Sequence, residues 1–91
     1  MTREEILRGV ERVAREHLNR PGSLELEMSL IEDLELDSLL LLTLAVEVEN
    51  HFRVYLEEED EAAIRTVGDL VETVHRKLEQ QRPDGNERWR H

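Results

Sequence analysis

The chain has 91 residues, and 22 Asp and Glu against 12 Lys and Arg give it a formal charge of −10. A chain of this length makes one domain with a modest core, which disfavours an enzyme with a deep pocket of its own. The acidic balance disfavours nucleic acid and anionic membrane surfaces, both of which repel it, and favours basic protein partners or simply solubility. Cysteine is absent, so any sulfur chemistry would come from an attached group.

The start, Met1-Thr2-Arg3-Glu4-Glu5, is charged and lacks the apolar stretch of a leader peptide. The most apolar run, Leu39 to Val46, is interrupted by Thr43 and is far too short to span a bilayer. A cytoplasmic protein is expected. Thr2 and Glu5 form a capping box that opens a first helix reaching Leu18. Ile6, Val10, Val13 and His17 recur along it at helical spacing, with Leu7, Ala14 and Leu18 beside them. Pro21-Gly22 is expected to end it. Residues 21–36 hold no period, yet Leu24, Leu26, Met28, Leu30, Ile31, Leu34 and Leu36 are scattered through them. That pattern predicts a long loop pinned across the core.

Asp37 or Ser38 caps a second helix running to about Phe52. At about 100° per residue, Leu41, Ala45, Val48 and Phe52 share the core face, flanked by Leu44 and Leu42. Leu39, Leu40, Thr43, Val46, Glu47 and Asn50 then look outward. Val54, Tyr55 and Leu56 read as extended, and Glu57 to Ala63 as a short acidic helical turn ending at Ile64. Thr66 with Asp69 makes a second capping box, opening a last helix striped by Val67, Leu70, Val71, Val74 and Leu78. The expected architecture is all-α: a small bundle of three main helices and one short helix, with a long loop between the first two. Residues 1–81 make the domain, and 82–91 read as a disordered polar tail.

A serine in the first turn of a helix sits among unpaired N–H groups at the positive end of the helix dipole, a favourable place for a phosphodiester. A plain helix cap is the other role open to Asp37 and Ser38. The segment Glu32-Asp33-Leu34-Glu35-Leu36-Asp37-Ser38-Leu39 resembles the signature of acyl carrier proteins, in which Asp-Ser-Leu opens the second helix. The family's downstream pattern follows in order as Phe52, Val54 to Leu56, Glu57 to Glu61, and Ile64-Arg65-Thr66-Val67, so the resemblance covers about residues 2–80. It implies that Ser38, between Asp37 and Leu39, bears a phosphopantetheine arm. A separate phosphopantetheinyl transferase would move the arm from coenzyme A, using magnesium. The arm's thiol would hold acyl groups as thioesters for partner enzymes such as ketosynthases. The chain itself would be a monomeric, non-catalytic carrier with no metal of its own.

The outward residues of the second helix, Leu39, Leu40, Thr43, Val46, Glu47, Glu49 and Asn50, are the candidate partner surface. From Glu32 to Glu61 there are eleven acids against Arg53 as the sole Lys or Arg, which suits docking but would also serve a merely solvated face. Three positions depart from the family pattern. Glu35 stands where glycine is common, so the loop before Ser38 is expected to take a different path. Leu40 and Thr43 replace acids usual in fatty-acid carriers, which points to polyketide or other specialised biosynthesis. Fatty-acid synthesis, or an unmodified acidic helical interaction module, are the alternatives. His17, His51, His75 and His91 lack ligand spacing, and His17 is expected at the core edge. The Glu57–Glu61 run has no calcium-loop spacing. Trp89 falls in the tail, flanked by arginines.

Overall fold

Backbone N–H groups at a helix start need acceptors, and here the residues that supply them decide where each helix begins. The computed structural model describes residues 1–20 and 23–81, which form α1 (Arg3–His17), α2 (Ser38–Phe52), α3 (Glu58–Ala63) and α4 (Val67–Gln80). Thr2 Oγ1 accepts from the Glu5 N–H at 3.1 Å, while the Glu5 carboxylate accepts from the Thr2 N–H at 2.8 Å. Thr66 and Asp69 repeat the arrangement on α4, and Asp37 is the N-cap of α2. The all-α bundle is as expected. None of these helices is long and apolar enough to cross a membrane.

α1 stops earlier than its proline would require. Asn19 takes a left-handed conformation, with φ of 58°, and the Arg20 N–H turns back to the Ala14 carbonyl at 3.0 Å. The helix therefore ends at His17, ahead of Pro21-Gly22, which lies outside the described residues, as does the expected tail at 82–91.

The core joins Ile6, Val10, Val13, Ala14 and Leu18 of the α1 region to Val67, Leu70, Val71 and Val74 of α4, with α2 packed alongside. His17 does not belong to it. Its side chain is exposed, and its Nε2 lies 3.4 Å from a Glu47 carboxylate oxygen on α2. On α2 the buried residues are Leu44, Val48 and Phe52, one turn apart. Leu41 and Ala45 are only half-buried, Leu42 is 57% exposed, and Leu40, expected outside, is half-buried against the core. The leucines from 39 to 42 surround this helix, so periodicity hardly selects a face; contact with α1 and the loop selects it instead.

The long loop is pinned as expected, by Leu24, Leu30, Leu34 and Leu36, all buried. Leu26 and Ile31 stay exposed. Backbone bonds complete the attachment: Leu30 N–H donates to the Arg65 carbonyl at 3.0 Å, Val67 N–H to Met28 at 3.0 Å, and Gly68 N–H to Leu26 at 2.8 Å. Two of the free donors at the start of α4 are thus satisfied by loop carbonyls. After α2, Arg53 turns with φ of 60°, and Val54 and Leu56 are buried around an exposed Tyr55, as an extended segment requires.

Candidate functional site

Ser38 is the first residue of α2 and is exposed. Its position is set from both sides. Upstream, Leu34 and Leu36 are buried, and the Leu36 N–H donates to the Leu30 carbonyl at 3.1 Å. The Arg20 guanidinium draws three carbonyls together, those of Leu34 at 2.7 Å, Leu18 at 3.1 Å and Glu35 at 3.3 Å. Glu35 itself has φ of 57°, the left-handed conformation that glycine adopts without penalty. Glu35 thus adopts, with a side chain, a backbone conformation open to the glycine common at this position. Downstream, an Asp37 side-chain oxygen accepts from the Leu40 N–H at 2.9 Å, and the Asp37 carbonyl from the Leu41 N–H at 2.8 Å.

The N–H groups of Ser38 and Leu39 have no partner among the described residues. They lie at the positive end of α2, whose first turn contains no acid. An anion joined to the Ser38 oxygen would meet these donors, with the neighbouring Asp37 carboxylate engaged by the Leu40 N–H.

Ser38 also stands at the rim of a cleft of about 320 Å³. Leu41, Leu42 and Ala45 of α2, Leu56 and Ile64 at the two ends of α3, and Leu70 of α4 supply its apolar lining. Glu61 is its acidic residue. Its lining is mainly apolar, with Ser38 and Glu61 as the polar exceptions. Among the described residues, no three His, Asp or Glu side chains gather to hold a metal.

The wall formed by α3 is fastened by charge. Burial pushes the Asp60 carboxyl up, but hydrogen bonds from Lys77 and the Glu57 N–H, with the charges of Lys77 and Arg76, hold it below the usual carboxylate range. Asp69, which caps α4, is also held low, first by the hydrogen bond from the Arg65 N–H; burial opposes this, and the Thr66 bonds add to it.

The candidate partner residues do not all share one face. Leu39 is 69% exposed and Val46 43%, and with exposed Leu42 they form an apolar ridge, beside half-buried Thr43 and exposed Asn50. The Thr43 hydroxyl donates to the Leu39 carbonyl at 3.0 Å. Leu40 turns toward the core, and Glu47 reaches His17 of α1. The Glu49 carboxylate accepts from the Leu56 N–H at 2.8 Å, so it holds the segment after α2. Sequence reasoning missed Leu42, the Arg20 clamp and the cleft. A cation beside a helix end carries no motif, and a cleft drawn from five segments has no local signature.

The sequence matches the family model described as "Phosphopantetheine attachment site" over residues 8–74. The meromycolate extension acyl carrier protein of Mycobacterium leprae is 37% identical over 91 residues, covering 99% of this chain and 78% of that protein. The protein of the same description from Mycolicibacterium smegmatis is 37% identical over 84 residues, covering 91% and 84%. A crystal structure of an acyl carrier protein from Thermotoga maritima superposes with a TM-score of 0.77 at 26% identity, over 86% of this chain and 92% of that one.

Proposed function

Because this chain belongs to the acyl carrier proteins, the phosphopantetheine-attachment family whose members carry acyl groups, we propose that Ser38 bears the arm and that the loaded protein serves a specialised biosynthetic route. The observation that carries the site assignment is an exposed serine at the first position of α2, beside open backbone donors and the rim of an apolar cleft. These residues fit the group. The Ser38 and Leu39 N–H groups favour a phosphodiester on the Ser38 oxygen, while Asp37 and the Arg20 clamp keep that oxygen outward. When attached, the arm supplies the thiol that the sequence lacks. The cleft beside it offers Leu41, Leu42, Ala45 and Leu70 to an apolar acyl chain. The chain itself catalyses nothing; it presents cargo.

Two features favour a specialised route over general fatty-acid synthesis. The mycobacterial relatives carry names that specify meromycolate extension, and the first turn of α2 holds no acid for a basic partner to read. Leu39, Leu42 and Val46 suit a partner with an apolar recess instead. That partner would be a ketosynthase or another enzyme of chain extension or polyketide assembly.

The test is intact mass after co-expression with a broad-specificity phosphopantetheinyl transferase. Native protein should gain one arm, and Ser38→Ala should gain none while keeping its fold, because Asp37 is the residue that caps α2. An arm that persists in Ser38→Ala, on Ser23 or Ser29, would sink the assignment.

A further inference from the structure

Among the described helices, α3 alone contains no buried residue. It nevertheless leads into Ile64 and contributes Glu61 to the cleft, so its position decides where that wall stands. Its flanks, Leu56 and Ile64, pack inward, but its own tie to the body is Asp60. One Asp60 oxygen accepts from Arg76 at 2.8 Å; the other accepts from Lys77 at 2.8 Å and from the Glu57 N–H at 2.9 Å. The Asp60 and Lys77 side chains are only 11% and 14% exposed, whereas Arg76 is 53% exposed. Attraction between the first two acts through partly desolvated surroundings, where it exceeds that of an ordinary surface pair.

We propose that Asp60, gripped by Lys77 and Arg76, is a latch that fixes α3 against α4 and thereby sets how firmly the cleft closes over its cargo. Asp60 is a positioning residue in this scheme: it touches no cargo and acts through Glu61 and Ile64. The cargo half of the proposal rests on the reading of the cleft given above; the latch half does not. A wall held by charge can swing away without exposing a buried side chain of its own, and it can be released from the α4 side.

Amide hydrogen exchange on the unmodified chain tests the latch directly. Asp60→Asn keeps an acceptor for the Glu57 N–H but removes the charge, and Lys77→Met keeps the apolar stem. In either variant the amides from Glu58 to Ile64 should exchange roughly three- to thirtyfold faster, while those of Val10, Val48 and Val74 keep native rates. The double variant should add little beyond either single change. Unchanged α3 exchange, or equal acceleration in every helix, would overturn the latch. For the cargo half, modified protein is loaded with a long saturated acyl group or with acetyl, and thioester cleavage by hydroxylamine is timed. Asp60→Asn should cleave several-fold faster than native for the long chain and at the native rate for acetyl. Equal rates for the long chain would overturn that half. An absence of any mass gain on native protein would instead overturn the carrier reading, with the exchange result still deciding the latch.

Discussion

Glu35, like Arg53, carries a full side chain on a left-handed backbone. A left-handed conformation costs a non-glycine residue about 1–2 kcal/mol, and Glu35 adopts it at φ of 57° with an exposed side chain. The conformation persists because its carbonyl, with those of Leu34 and Leu18, is held by Arg20. Glu35→Gly should relieve the strain, offset by the roughly 0.5–1 kcal/mol of extra freedom glycine has when unfolded. A net gain of about 0.5–1 kcal/mol would raise the melting temperature by about 2–8 °C. An unchanged or lower melting point in that variant would show that Glu35 is not strained. At this scale the sequence was informative about identity and silent about geometry. Asp37, Ser38 and Leu39 could be named from their order alone, but nothing local announced that Arg20 would fold back onto the loop before them.

The helices themselves were legible where short-range chemistry sets them. Thr2 with Glu5 and Thr66 with Asp69 cap α1 and α4 as read, because each box closes within four residues. The face of α2 was not legible, since Leu39 to Leu42 satisfy any phase and only α1 and the loop choose among them. Gly9 marks where that choice is tightest. A Cβ added there would lie 2.5 Å from the Phe52 ring. Alanine gains about 1 kcal/mol of helix propensity over glycine, yet Gly9→Ala should destabilise the fold on balance, because overpacking costs about 1–3 kcal/mol. Denaturant midpoints check this, and the loss should vanish or reverse in a Phe52→Leu background. The caps also carry a pH dependence. Asp60 and Asp69 are held below their unfolded value of 3.8, so each contributes stability above that pH and loses it as pH falls through the lowered folded value. Urea midpoints should therefore drop from about pH 4 downward, with a shallower drop in Asp69→Asn. Equal slopes for both proteins would remove Asp69 from the account.

Along the stretch of chain that contains Ser38, acidic residues and exposed apolar residues are combined. Between Glu32 and Glu61 the eleven acids face Arg53 as the sole Lys or Arg, while Leu39, Leu42 and Val46 lie exposed. If the acids steer encounter, association with the transferase should slow by about tenfold as salt rises from low to several-fold physiological strength, because exposed charges are screened beyond about 8 Å at physiological strength. Flat rates would leave the charge as a means of solubility. The strapping of the loop to the start of α4 reaches further, into the making of the protein. Ser38 leaves the ribosome early, but the Arg65 carbonyl and the Val67 and Gly68 N–H groups that hold the loop before it are translated much later. At about 5–20 residues per second, a nascent chain spends a second or more with its serine exposed and the loop around it unstrapped. If the transferase recognises the folded turn, that unfinished chain is not yet its substrate, and modification at Ser38 would wait until residues 65–68, which strap the loop, have been made.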